Sequence, residues 1–541
     1  MSYPHTRQLG SQPGVQLNKL RDNTEGFAAD ASDQAAAIVG RFRRGRIDAP
    51  FKVNRGNRLS VLGAAESIRI SELNEAYVQA VESLDAGTYE MVVSRLVTDA
   101  AASSYGVFNI TGTKSAFTVS TDAPTASYLF YFEHLSCFND GIKAEVQADA
   151  VFAADGVTPV PTKVITLRLR EPNGNLMYEF TGSLDPLATD DYGKDYFIGS
   201  IIEAQSDDVK INVFAGASIP VTADCYGRNT DGTPKVATSG TSPLVLFTEG
   251  GTGYTIAHYD RAINALERGS YDFGYIISGG SQATALLSKL AQLAERANRH
   301  FAFDVSGKLT PKAAIAFIKQ LSLDSHYCQA YWAPLQSDDP VNGGKAVIGT
   351  AGYNVGLRCG RNAQTNAYGL APKNTPVAGK EWPLNRTGVK QLNNPDAPEL
   401  SDMAQAKINP VIFEKYNGGG KFVFTDSLTC ASVSTSYRKL ISVAEMSSTL
   451  DDMVVKFGKE ALQLPMAVAI KKTTDFLEAT FEAAGSTGWL VPSDDPALGQ
   501  KGFVFSVKRN AVRPADRMDI EYGLHYDGVV RAIYVTQTLS R

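Results

Sequence analysis

Three places in the sequence hold residue types that could do chemistry, and each has a plainer use. Gly279-Gly280-Ser281 lies between an apolar run and a helical pattern, where a helix N-terminus could hold a phosphate. No complete phosphate-binding glycine loop surrounds it. Position 283 is Ala, where a nucleophile elbow needs a second glycine. The expected role is a turn with Ser281 as helix N-cap. His326 and Cys328 stand two apart on one face of a strand and could pair as base and nucleophile, but a buried strand produces such neighbours without catalysis. Asp338-Asp339-Pro340 reads as a solvated turn, not a pair of carboxylates for acid/base work. The six histidines (His5, His134, His258, His300, His326, His525) never fall at ligand spacing, so no metal is expected. Cys137, Cys225, Cys328, Cys359 and Cys430 are odd in number and far apart. They form neither a disulfide framework nor a metal pair, and buried reduced thiols are expected. No catalytic, metal or cofactor-binding residue is assigned, and no cofactor is expected.

The elements that carry these residues suggest an α/β (α+β) multidomain chain. Residues 1–30 are polar, lack an amphipathic period, and cannot bury enough area to order alone; they read as an N-terminal arm. Ala35 to Gly40 suits a buried strand, Phe51 to Val53 a second, Ile70 to Glu82 a helix, and Tyr89 to Val97 a third strand. This first part of a core domain spans 31–103. From 104 to 247 the runs Phe108–Val119, Val164–Leu169 and Val209–Phe214 alternate apolar and polar residues. Asn173-Gly174 sits between two such runs, a strong hairpin signal, so a β-rich domain is inserted here. At 248–360 strand and helix alternate again: Tyr271 to Ser278, a helix Ser281 to Arg299, His300 to Val305, a helix Thr310 to Leu321, and His326 to Trp332. That rhythm implies a parallel or mixed sheet with crossovers. A C-terminal inner domain is placed at 361–528. Within it lie helices expected at Val443–Phe457 and Glu460–Lys472. A last strand at Val529–Thr538, within an arm at 529–541, follows the Asp527-Gly528 turn signal.

Composition narrows the function classes. At about 150 residues per domain, 541 residues make three or four folded units. The net charge of −5 argues against direct nucleic-acid binding, which rests on a basic excess. No apolar run approaches the ~20 residues needed to span a bilayer, so no membrane insertion is expected. The opening Met1-Ser2-Tyr3-Pro4-His5 carries no hydrophobic signal core. Synthesis in a cytoplasm is expected.

A set of short motifs runs in order along the chain. It begins with Pro13-Gly14-Val15, Ala37-Ile38-Val39-Gly40, Arg43-Arg44-Gly45 and Val92-Val93-Ser94-Arg95. Next come Ser325-His326-Tyr327-Cys328-Gln329-Ala330-Tyr331-Trp332-Ala333-Pro334, then Ala351-Gly352-Tyr353, then Tyr368-Gly369-Leu370-Ala371-Pro372-Lys373-Asn374. Lys407-Ile408-Asn409-Pro410, Gly418-Gly419-Gly420-Lys421-Phe422-Val423-Phe424 and Tyr437-Arg438-Lys439-Leu440 complete it. Collinear in this order, they resemble the contractile tail sheath family of bacteriophages, related to R-type pyocin sheaths. Two departures stand out: Ser427-Leu428-Thr429 replaces the family's Arg-Thr-Leu, and Ile348-Gly349-Thr350 its Pro-Ser-Gly.

The resemblance implies a non-enzymatic structural subunit of the virion tail, made in a host bacterial cytoplasm. It would polymerise helically around the tail tube and contract to drive the tube through the host envelope. Implied partners are further copies of itself, the tail tube protein, and baseplate and tail terminator proteins. The inserted domain would face outward. Inter-subunit strand arms would include Pro13, Gly14 and Val15 at one end and Val530, Ile533, Tyr534 and Val535 at the other. Lys456, Lys459, Lys471 and Lys472 would face the tube. The alternatives are the sheath of a pyocin-like injection machine, and an α/β enzyme with a β-rich lid, for which no convergent titratable groups are found.

Overall fold

The computed structural model describes residues 31–496 and 498–537; Pro13, Gly14 and Val15 lie outside them. The chain divides into two compact units. Of the described residues, the larger comprises 32–361, 374–456 and 528–537, and the smaller 31, 362–373, 457–496 and 498–527.

The larger unit is organised by one eight-stranded sheet. Its opening follows the apolar runs: β1 (Ala35–Gly40), β2 (Phe51–Val53), helix α1 (Glu75–Ala86) and β3 (Glu90–Arg95). Helix α1 begins later than Ile70, because Ser71 caps a short 3-10 turn at Glu72–Asn74 that leads into it. The inserted segment then forms two four-stranded antiparallel sheets. Its strands are β4 (Tyr105–Thr111), β5 (Lys114–Ser120), β6 (Phe130–His134), β7 (Lys143–Gln147), β8 (Val164–Arg170), β9 (Leu176–Ser183), β10 (Val209–Val213) and β11 (Val236–Thr238). Helix α2 (Ile198–Gln205) lies among them in sequence. The sheet orders are β9-β8-β7-β11 and β10-β6-β4-β5. Phe108–Val119 is a hairpin rather than one strand, because Gly112 turns with φ +64. The Asn173-Gly174 hairpin joins β8 to β9, with Gly174 at φ +97. Phe108, Phe130, Phe132, Val146, Leu167 and Phe180 are among the residues that fill a core of this segment's own.

The chain then returns to the first sheet through α3 (Ile256–Arg268), β12 (Tyr275–Ile277), α4 (Thr284–Ala297), β13 (His300–Val305), α5 (Pro311–Leu321) and β14 (Cys328–Trp332). Helix α6 (Ala351–Asn362), α7 (Ala397–Gln405), β15 (Ile408–Tyr416) and β16 (Gly419–Phe424) follow. The order is β2-β3-β1-β12-β13-β14-β15-β16, parallel from β3 to β15 with antiparallel edges β2 and β16. Both faces are covered, as a parallel sheet requires. Ala35, Ala37 and Val39 point toward the α3 and α4 side; Ala36 and Ile38 point toward α1 and α6. Ser281 is not the N-cap expected of it. Helix α4 starts at Thr284 behind Ala283, and the Ser281 hydroxyl accepts from the Ala283 N–H one turn earlier.

Helix α8 (Ile441–Ala461) begins in the larger unit and runs into the smaller one. The smaller unit also holds α9 (Met466–Ser486) and the hairpin β17 (Phe503–Arg509)–β18 (Met518–Leu524). The second helix starts at Met466 and not at Glu460, because Pro465 lacks an N–H and serves as its N-cap. Phe481 on α9 packs against Phe503, Phe505 and Tyr522 at centroid distances of 5.6, 5.9 and 5.4 Å. The Trp489 indole donates to the Ala371 carbonyl at 3.0 Å.

Candidate assembly site

The chain runs out of β18 through a bridge from Leu490 to Tyr526 and a bond from the Asp527 N–H to the Trp489 carbonyl. Residues 527–537 then carry no regular structure. The strand expected at 529–538 is not formed over its described residues, 529–537: a strand needs an adjoining edge, and no described strand pairs with this segment. Val530, Ile533, Tyr534 and Val535 are 78%, 79%, 94% and 87% exposed. An ion pair holds the root of the segment. Arg531 Nε donates to Asp426 Oδ1 at 2.9 Å and Nη2 to Oδ2 at 2.5 Å. This bidentate pair raises the Arg531 pKa. In the smaller unit, β17 and β18 pair only with each other among the described residues, leaving two further backbone edges.

Lys456 and Lys459 lie on α8, and Lys471 and Lys472 on α9; all four are exposed. The first two, three residues apart, share a helix face.

Burial pushes the Cys328 thiol up to about 12, so it stays protonated. His326 Nδ1 lies 3.3 Å from Arg438, and burial lowers its pKa. Asp338 pairs with Lys345, while Asp339 accepts the Val341 and Asn342 N–H groups. All five cysteines are free and buried.

Two charge clusters lie inside the larger unit. Glu445 on α8 accepts from Arg358 Nε at 2.8 Å, Arg361 Nη2 at 2.9 Å and the Tyr275 hydroxyl at 2.5 Å, with the side chains of Glu445 and both arginines buried. Burial opposes its charge, but the two guanidiniums outweigh that and hold the carboxyl well below the usual range. Glu75 and Asp304 form the second cluster, bridged by one Gln79 amide nitrogen at 2.8 and 2.7 Å.

No family model matches the sequence, and no curated protein matches it. Among solved structures, a sheath tail protein from Listeria innocua aligns over 90% of this chain and 94% of its own, with TM-score 0.52 and 10% identity. The chain has the sheath tail protein fold. A second sheath tail protein, from Desulfitobacterium hafniense, aligns over 96% and 98% at 13% identity and TM-score 0.49.

Within this sheath fold, the Arg-rich turn after β1 acquires a role its motif did not disclose. Arg44 pairs with Asp140 (2.6 Å) and Glu171 (3.1 Å) of the inserted segment and stacks 4.1 Å from the Phe138 ring. Arg41 pairs with Glu249 at 2.9 Å. Arg95, from the end of β3, donates to the carbonyls of Gly45, Cys137 and Arg43 and to Asn139 Oδ1, with its carbon 4.7 Å above Phe247. Arg44 and Arg95 fasten the inserted segment to the turn after β1 and the end of β3. The Glu445 and Glu75 clusters also went unseen. Arg358 and Arg361 stand beside Val355 and Cys359 on a buried helix face, and cations among apolar neighbours were the available signal.

Proposed function

We propose that this chain is the structural subunit of a contractile tail sheath, polymerising helically around a tail tube and contracting to drive that tube through a bacterial envelope. The observation that carries the reading is the C-terminal segment. In a chain with the sheath tail fold, it presents Val530, Ile533, Tyr534 and Val535 to solvent and pairs with no strand among the described residues. In a polymer it becomes a strand on a neighbour's sheet, beside the region of Pro13, Gly14 and Val15 from another copy. About six residues at a net ~1 kcal/mol per hydrogen bond give several kcal/mol per arm before ordering costs. Such a link survives rotation of the bodies it joins, as a two-state polymer needs. Lys456, Lys459, Lys471 and Lys472 face an acidic tube surface, and the segment 104–247 forms the outer module. Baseplate and tail terminator proteins contact the ends. The work is mechanical and uses no cofactor, and the particle is a virion tail assembled in the host cytoplasm.

Electron microscopy of the expressed full chain tests this: hollow tubes are expected. Removing Val529–Arg541 is expected to yield a monomer with an almost unchanged circular dichroism spectrum. Long tubes from the truncated chain would end the arm argument.

A further inference from the structure

We propose that Glu75 and Asp304 are a proton-sharing pair that fastens the first turn of α6 to the main sheet while one proton is held, and loosens it when that proton leaves. The pair lies at the C-terminal ends of the parallel strands, where the order β3-β1-β12 reverses direction along the sheet. In open α/β sheets that crevice is where ligands bind; here side chains close it to a cavity of about 30 Å³ beside Glu75 and Asp304.

The surroundings are shaped to two carboxyl groups. Asp304 Oδ1 accepts the Thr350 and Ala351 N–H groups at 2.6 and 3.0 Å, and Glu75 Oε1 accepts the Gly349 N–H at 2.7 Å. Those three donors are the start of α6, whose positive end favours an anion. Gln79 donates to both carboxyls, and its own Oε1 is buried without a partner. Two glycines make room. A Cβ at Gly280 would lie 2.3 Å from the Glu75 carboxyl carbon, and one at Gly349 equally close to Asp304.

Full positive charge is short. Arg386 is committed to Glu82 at 2.7 and 2.6 Å and to the carbonyls of Ile348 and Gly349. At the cavity wall Lys308 pairs with Glu72 at 3.1 Å. With every group ionised, Glu75, Asp304 and Glu82 would face one buried guanidinium. Asp304 has three hydrogen bonds, two of them to helix N–H groups, and keeps its charge more readily. Glu75 therefore holds the proton: burial, then the Asp304 charge, push its pKa up to about 7. Near that pH the folded chain binds a proton the unfolded chain has already released. Stability from this group thus falls as pH rises from the ordinary glutamate range through about 7.

Glu75→Gln carries the neutral state permanently and keeps an oxygen for Gly349 and Gln79. Thermal unfolding of the full chain and the variant, measured from pH 5 to 8.5, tests the pair. The Tm of E75Q relative to the unmodified chain is expected to be near zero at the acid end and to grow to about +5 °C at the alkaline end. A Tm difference that does not change with pH overturns the proposal. Asp304→Asn removes the repelling charge, so the pH at which the unmodified chain loses stability should move downward in that variant. An infrared difference spectrum between pH 6 and 8.5 should show loss of a protonated-carboxyl stretch that E75Q lacks. Its presence unchanged in E75Q would assign the proton elsewhere and refute the pairing.

Discussion

Helix α6 has a carboxylate cluster at each end. Toward its last turns Glu445 meets Arg358 and Arg361 and remains ionised although buried. At its first turn Glu75 and Asp304 meet three backbone N–H groups and one amide, and the pKa values of both rise. Burial is the largest influence at every one of these carboxyls; what differs is the partner. A helix N-terminus offers partial charges worth about 0.3–1 kcal/mol, up to ~2 in buried geometries, which suits one carboxylate and not two. Two guanidiniums supply more than one carboxylate needs. The number of full opposite charges within hydrogen-bond reach, and not burial, decides which end of α6 responds to neutral pH.

The largest effect should come from removing the well-paired end. Glu445→Ala removes the buried carboxylate that Arg358 and Arg361 share and is expected to cost about 3–5 kcal/mol, read from the urea midpoint. Because the Glu445 pKa is depressed, its contribution is full above the ordinary glutamate pKa and is lost only as pH falls far into acid. A loss below ~1 kcal/mol would mean water reaches the cluster and the contrast with Glu75 fails. Arg95 sharpens the comparison as a buried cation whose Nη groups bond to neutral carbonyl oxygens and not to a carboxylate. Burial lowers its pKa, yet four hydrogen bonds hold it. Arg95→Met should cost about 2–3 kcal/mol by stranding those acceptors, and should quicken proteolysis near residues 104 and 250, where the inserted segment joins. Unchanged cleavage there would remove Arg95 from that joint.

The sheet was readable because its strands are short apolar runs separated by amphipathic helices. Ile38, Phe303 and Trp332 announce burial without any knowledge of partners. The clusters were not readable in the same way. Glu75 and Gly349 are far apart in sequence, and only the fold brings them to 2.7 Å. Glu445 looks like any acid on a helix until Arg358 is seen beneath it. The C-terminal run failed for the opposite reason. Val, Ile and Tyr give a strand pattern, but pattern supplies half a strand pair, and no strand among the described residues supplies the other half. Pro465 could have placed the start of α9, since a proline inside Glu460–Lys472 marks a boundary.

A smaller effect is expected from the lysines on α8. Reversing Lys456 and Lys459 to Glu should leave the thermal midpoint nearly unchanged, because both side chains are exposed. Assembly on a tail tube should weaken, and more so at low salt, since exposed charges are screened beyond about 8–10 Å. Equal assembly at every ionic strength would exclude an electrostatic tube contact.

The smallest effect on stability belongs to Arg531, which is the surface counterpart of Arg358. Both engage a carboxylate, but the Arg531 side chain is 33% exposed where that of Arg358 is 1% exposed. Exposed pairs contribute about 0–1 kcal/mol, so Arg531→Ala should barely move the urea midpoint. Its consequence should be local. The pair with Asp426 holds the root of a segment in which Val530, Ile533, Tyr534 and Val535 are exposed. A spin label at Val535 should therefore become more mobile in Arg531→Ala, and in the unmodified chain at high salt. Exchanging the charges, Arg531→Asp with Asp426→Arg, should restore the original mobility, because it restores the pair. If the exchanged protein stays as mobile as the single variant, the root is held by something other than this ion pair. If the single variant loses several kcal/mol, the segment belongs to the folded body, and an arm free to join a neighbour is the wrong description.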